Sequence, residues 1–336
     1  MPGNRMPLVS IIVPCYNEQN TIGLLLTAIH QQSFDRLNME VIVADGLSED
    51  RTRENIMHFQ QAHPDLSIKI VNNEKRTIPS GLNEAIRASG GEYIIRLDAH
   101  CVPHTDYIER CMEALTTGKG DNVGGVWEIQ PGGPGWIARS IAAASAHPLG
   151  VGDARYRLGG NAQMVDTVPF GSFKRTLFDR IGLFDETLLT NEDYELNVRI
   201  RQAGGSVWLD PRIRSRYFAR TSFKQLTRQY WRYGYWKGRM IRRYPGTIRW
   251  RQLLPPLFIA GLLFLSLLAI WISWARWLSL AVVGVYLITL ILAGIKLAIN
   301  KRDFPIIIGL PLAISVMHIS WGSAFLWNYI SKPDTS

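Results

Sequence analysis

"EYIIRLDAH", residues 92–100, decides the fold. Tyr93, Ile94, Ile95 and Leu97 form a short apolar run of the kind that makes a strand buried in a parallel sheet, and the run stops abruptly on Asp98 and His100. Open sheets of that kind place their ligand sites just beyond the carboxyl ends of the strands. Asp98 and His100 are therefore expected at a rim.

The neighbouring segments repeat the plan. "PLVSIIVPCYNE" reads as a β-branched strand stopping at Pro14, and "TIGLLLTAIHQQS" follows with helical periodicity after Thr21 as a cap. "MEVIVADGLSEDRT" gives a second strand running into Asp45 and Gly46, with Ser48 or Asp50 to cap the next helix. "SIKIVNN" then leads through "EKRTIPSGLNEAIRAS" to the strand quoted first. Regular alternation of strands and helices predicts an α/β fold, a doubly wound and mostly parallel sheet. "QPGGPGW", residues 130–136, is rich in turn formers and reads as a mobile loop beside the site.

Charged residues gather at the strand ends. Asp45 alone would serve as a turn former. Asp98 and His100 stand at i and i+2, so in extended chain they share a side and could face one divalent ion. Carboxylate suits hard cations, and imidazole admits Mn2+ beside Mg2+. Downstream, Glu192, Asp193 and Glu195 open a helix carrying Leu196 and Ile200. The helix dipole accounts for one such carboxylate and leaves another for work as a general base.

The net charge of +9 over 336 residues is local. No acidic residue stands between Asp210 and Asp303, and residues 212–251 are crowded with Arg and Lys. Three apolar runs follow, at about 253–272, 277–295 and 304–327, each near the ~20 residues a helix needs to cross a bilayer. Their apolar character on every helical face argues against core helices of a soluble protein. Three regions are expected: 1–210 catalytic, 211–252 basic and interfacial, and 253–336 transmembrane. Trp271, Trp274 and Trp277 fit an aromatic belt at the first hinge, while Lys296, Lys301 and Arg302 fill the second. The positive-inside rule places the basic stretch and second hinge in the cytoplasm, and the turn at Trp274 and residues 331–336 on the far side. No apolar leader precedes Pro14, and Cys15, Cys101 and Cys111 read as free thiols of a reducing compartment. A dinucleotide oxidoreductase is disfavoured, since no G-x-G-x-x-G follows the first strand. "QYWRYGYWKGRM" mixes aromatic and basic residues, but directly before an apolar run it fits a membrane-surface helix better than a nucleic-acid groove.

Six motifs in order, "VSIIVPCYNE", "VIVADGLSEDRT", "EYIIRLDAH", "VPFGSFKR", "GLFDETLLTNEDYEL" and "QYWRY", make the chain resemble family 2 glycosyltransferases of the GT-A fold over about residues 8–244. More narrowly, it resembles the membrane-attached glucosyltransferases of succinoglycan-type exopolysaccharide assembly. That resemblance implies a donor site of Pro14, Tyr16, Glu18, Asp45, Arg76, Asn83 and Asp98. It implies Mg2+ or Mn2+ held by Asp98 and His100 at the D-x-D position, and Asp193 as the base of an E-D motif shared with Glu192. Gln229, Arg232 and Tyr233 match a Q-x-x-R-W pattern for acceptor or diphosphate, with Tyr in place of Trp, and His100 stands where many members have Asp. The activity implied is inverting transfer of a hexose, glucose by preference, from its UDP conjugate to a polyprenyl-diphosphate-linked saccharide. The setting implied is a plasma or bacterial inner membrane, with membrane lipid and other exopolysaccharide assembly proteins as partners, no nucleic acid, and the catalytic domain in the cytoplasm. The alternatives are a processive β-glycan synthase and a non-catalytic nucleotide-sugar-binding membrane protein. Trp127, Phe170 and Phe173 are candidate walls of the sugar pocket.

Overall fold

The structure, a computed structural model, describes residues 7–331. Strands β1 (Val9–Cys15), β2 (Met39–Asp45), β3 (Ser67–Asn72) and β4 (Tyr93–Arg96) alternate with helices α1 (Ile22–His30), α2 (Thr52–Ala62) and α3 (Ile78–Ala88). After β5 (Val102–Pro103), α4 (Tyr107–Thr116) and β6 (Asn122–Gln130) come α5 (Trp136–Ser145), α6 (Pro148–Val151) and α7 (Arg155–Leu158). Next are β7 (Gln163–Met164), β8 (Ser172–Lys174), α8 (Thr176–Ile181), α9 (Glu192–Gln202) and β9 (Val207–Phe218). The chain ends with α10 (Phe223–Arg243), α11 (Trp250–Leu268), α12 (Ser273–Lys301) and α13 (Ile306–Ile330).

The strands make one sheet in the order β3-β2-β1-β4-β8-β6-β9-β5, with β7 also on β9. The first four are parallel, as the alternation predicts, whereas β8 runs antiparallel to β4 and β6, and β9 antiparallel to β5 and β7, so the sheet is mixed. Side chains alternate between its two faces. Ile11, Val13, Val41 and Val43 pack with Leu25, Ile56 and Ile108 of α1, α2 and α4, while Ile12, Ile42 and Ala44 pack with Leu82, Phe178 and Leu196 of α3, α8 and α9. Cys15, Cys101 and Cys111 are buried free thiols, and burial pushes Cys111 up to about 12.

The chain groups into two compact units. One comprises residues up to Glu128 with Arg155–Tyr217, the other Ile129–Ala154 with the chain from Phe218. Residues 129–154 are thus an excursion that a linear division of the sequence does not contain. Within the second unit, 130–136 is a largely exposed bend tied down at its start. Ala219 N donates to Gln130 O at 2.9 Å, and a Cβ at Gly132 would stand 2.0 Å from Ala219 O.

Three helices of this unit, α11, α12 and α13, are long and apolar enough to cross a membrane. They differ in packing: the apolar windows of α11 and α12 are 6% and 11% buried, that of α13 50%. Small residues let backbones approach α13 along its length. Gly309 lies against Ser140, Gly322 against Pro255, Gly234 against Trp321 and Gly238 against Asn328. Arg139 closes a two-pronged pair on Asp303 at 2.6 and 3.2 Å beside the start of α13, and Arg242 donates to Asn328 O near its end. Residues 332–336, expected on the far side of a membrane, lie outside the described residues.

Candidate active site

β1, β2 and β3 end level, with Cys15, Asp45 and Asn72 in one register. β4 is recessed: its last pair sets Arg96 opposite Ile12, and Leu97 N donates to Ile12 O at 3.0 Å before the chain leaves the sheet. This notch holds Asp98. The loops after β1 and β2 are laced across it by Asn17 N to Ser48 Oγ at 2.9 Å, Glu49 N to Asn17 Oδ1 at 2.9 Å and Glu18 N to Thr52 Oγ1 at 2.8 Å. Thr21, the expected cap of α1, instead donates its hydroxyl to Glu18, and Asp50 rather than Ser48 accepts from Thr52 N at 2.9 Å. Three non-glycine residues here, Asn17, Leu47 and Arg76, have φ of 53°, 58° and 55°. Left-handed backbone in such residues is costly and clusters where ligands are held.

Tyr16 is 42% exposed on this lip, with its ring against Gly46 and the Arg76 guanidinium 5.8 Å from its centroid. Asp45 is fully buried. Its carboxylate accepts from Ser48 N at 3.1 Å, Ser48 Oγ at 2.5 Å and Arg53 Nε at 2.5 Å, so it fixes the second loop. Pro14, in register with Ala44, ends the floor beneath them.

The centre of the site is Arg96, a residue the motif reading passed over. It is 4% exposed and joins two distant segments, donating to Asp98 Oδ1 at 3.2 Å and Glu192 Oε1 at 3.0 Å. The signal was available: a charge inside an apolar strand requires a buried partner. Burial opposes the guanidinium charge, but Asp98, Glu192 and Asp193 outweigh it and hold Arg96 well above the ordinary arginine range. The carboxylates feel the same crowding. Burial pushes Glu192 up to about 7 against the pull of Arg96, with Asp193 adding repulsion. Burial likewise raises Asp193, which accepts from Tyr194 N at 2.7 Å and is more exposed than the 5%-exposed Glu192. Asn191, with φ 68°, swings the chain so that α9 starts with both carboxylates at its amino end.

Asp98 and His100 do not lie in extended chain. Cys101 N closes a turn on Asp98 O at 3.0 Å, so the residue sharing a side with Asp98 is Arg96, and His100 Nδ1 meets Glu18 Oε1 at 3.1 Å. Burial pushes Glu18 up, but hydrogen bonds from His100 and Thr21 prevail and hold its carboxyl below the ordinary range. The donor set still fits a divalent cation. Asp98, Glu192 and Asp193 surround a single guanidinium, an excess of negative charge. Arg96 meets one carboxylate oxygen of Asp98, Oδ1, and His100 contributes an imidazole whose Nδ1 meets Glu18.

The remaining expected residues have other partners. Asn83 is 2% exposed and its amide is spent inside the protein. It accepts from Phe184 N at 2.9 Å and donates to Phe184 O at 2.9 Å and Glu186 Oε1 at 2.8 Å. It holds the 184–186 loop rather than a donor directly. Asn83→Ala should therefore lower stability by about 1–3 kcal/mol through an orphaned buried amide, measured by thermal unfolding; an unchanged midpoint would contradict this role. Gln229, Arg232 and Tyr233 lie on α10 in the second unit, with Gln229 Nε2 donating to Tyr233 Oη at 2.9 Å. Phe173, 1% exposed, is core, whereas Trp127 stacks on Tyr217 at 4.3 Å and lies 5.8 Å from Phe170.

The sequence profile of Glycosyl transferase family 2 matches residues 10–182. Succinoglycan biosynthesis protein ExoA of Rhizobium meliloti is 31% identical over 94% of this chain and 93% of its own. The dolichyl N-acetyl-alpha-D-glucosaminyl phosphate 3-beta-D-2,3-diacetamido-2,3-dideoxy-beta-D-glucuronosyltransferase of Methanococcus voltae is 30% identical over 94% of this chain and 96% of its own. Among solved structures, mannosyltransferase PcManGT of Pyrobaculum calidifontis, in complex with GDP-Man and Mn2+, superposes with a TM-score of 0.59 at 20% identity, over 94% of this chain and 88% of that one. The backbone likeness shows a GT-A fold, and with matches of this extent the chain belongs to glycosyltransferase family 2.

Proposed function

We propose that the protein transfers a hexose, glucose by preference, with inversion from a UDP-sugar to a polyprenyl-diphosphate-linked saccharide in exopolysaccharide synthesis. The observation that carries this reading is the joining of Asp98 to Glu192, and so to neighbouring Asp193, through one buried arginine. This link supports a reading in which the metal-coordinating and proton-accepting carboxylates share one buried cation. The names of the two relatives, one of succinoglycan biosynthesis and one of transfer to a dolichyl-linked sugar, support the acceptor class.

Tyr16 and Arg76 offer a flat ring and a cation for the donor base, with Glu18, Asp45 and Pro14 shaping the loops that hold it. Asp98 and His100 would hold Mg2+ or Mn2+, which supplies charge for the departing diphosphate. Asp193 takes the proton of the acceptor hydroxyl as its oxygen bonds to the anomeric carbon and the bond from that carbon to the diphosphate oxygen breaks. Glu192, bound to Arg96 and more deeply buried, positions that arginine. On α10, Gln229, Arg232 and Tyr233 serve the phosphates of the acceptor lipid. The apolar helices anchor the chain in a plasma or inner membrane, with the catalytic unit cytoplasmic and other assembly proteins as partners.

The test is a transfer assay in detergent with labelled nucleotide sugars and a lipid extract. Label should enter an organic-soluble product, EDTA should abolish entry, and Mn2+ or Mg2+ should restore it. Product formation undiminished by EDTA would overturn the metal role, and an α-linked product from an α-linked donor would overturn inversion.

A further inference from the structure

His30, His63 and Asp65 converge away from the catalytic notch, where α1 and α2 end and the chain approaches β3. One ligand atom from each lies within 4.8 Å of the other two. His30 Nε2 stands 3.2 and 3.0 Å from the two Asp65 oxygens. Donors bound tetrahedrally at about 2.0–2.1 Å are about 3.3–3.4 Å apart, so this hydrogen-bonded pair need open by only a few tenths of an ångström to take one ion.

An ordinary surface ion pair would also bring His30 to Asp65, and Arg36 Nε joins it at 2.7 Å on Oδ2. That account leaves His63 without a reason. The His63 ring lies 4.3 Å from that of His30 at 44° and 4.4 Å from that of Phe59 at 39°, so the imidazoles are held in a tilted contact that an Asp–His–Arg contact does not need. His30 is the last residue of α1 and His63 the C-cap of α2, so the negative ends of two helices meet here and favour a cation.

We propose that His30, His63 and Asp65 bind one borderline divalent cation of the Zn2+ class, which clips the ends of α1 and α2 to the approach of β3. Two imidazoles and one carboxylate select such an ion over Mg2+. The site is separate from the transfer chemistry and does not depend on it.

The test is Zn2+ titration of the full chain in detergent, in saturating Mg2+, by calorimetry and by the thermal midpoint. The wild type should bind Zn2+ and gain stability with it. His63→Phe keeps a ring at this position but removes the donor, and should weaken binding more than about tenfold. His63→Cys restores a donor and should keep the ion. Equal binding by wild type and His63→Phe, no binding by wild type, or loss in both variants would each overturn the proposal.

Discussion

Asp193→Asn is expected to slow transfer by about 10²–10⁴-fold, the range for loss of a general base, with donor affinity little changed. The substitution keeps shape and the acceptor oxygen for Tyr194 N while removing proton affinity. Its effect should therefore appear in kcat rather than in KM for the donor. The wild type should also carry a distinctive pH profile. Burial raises Asp193 from its ordinary value, so protonation silences the base at a higher pH than for a free aspartate. The rate should climb with pH along a limb displaced upward from the ordinary aspartate value. Asp193→Asn should erase that limb. An unchanged kcat would remove Asp193 from the mechanism, leaving Glu192 as the carboxylate to test.

Arg96→Met is expected to cost about 3–5 kcal/mol of stability, because one half of a buried ionic cluster is removed and the other left uncompensated. The loss should depend on pH with a definite sign. Without the guanidinium, Glu192 moves further above its unfolded value of 4.5. A group raised in the folded state contributes stability fully below its unfolded pKa, and that contribution disappears as pH rises through its folded pKa. The variant should thus be nearest to wild type in acid and worst at alkaline pH. Adding Glu192→Gln should recover part of the loss. Thermal unfolding at several pH values measures this, and a deficit independent of pH would show that Arg96 matters through packing alone.

How much of this was legible depends on the length of the element. β1 to β4 and the helices between them announce themselves through alternation, and the rim of Glu18, Asp45 and Asp98 follows from strand ends. The antiparallel half was not legible, because β5, β7 and β8 are two or three residues long, too short to carry a period. The i, i+2 argument was sound for strand but applied one step too late: β4 ends at Arg96, so it pairs Arg96 with Asp98 rather than Asp98 with His100. Asp98 and Glu192 meet across 94 positions only because one guanidinium reaches both, which spacing does not reveal. His63 and Asp65 carry no motif at all. Their relation to His30 exists only once α1 and α2 lie side by side.

The sheathing of α13 bears on how this chain comes into being. Ser140 of α5 rests on Gly309, and Gly150 after it on Met317, so a segment made early waits for the last long helix to leave the ribosome. Contacts separated by so much chain close late and slowly. A shortened gene that stops before α13 would therefore yield a protein with an unfinished interior, not a soluble enzyme relieved of its anchor. Until α13 emerges, α5 presents its buried alanines to whatever chaperone or lipid is at hand.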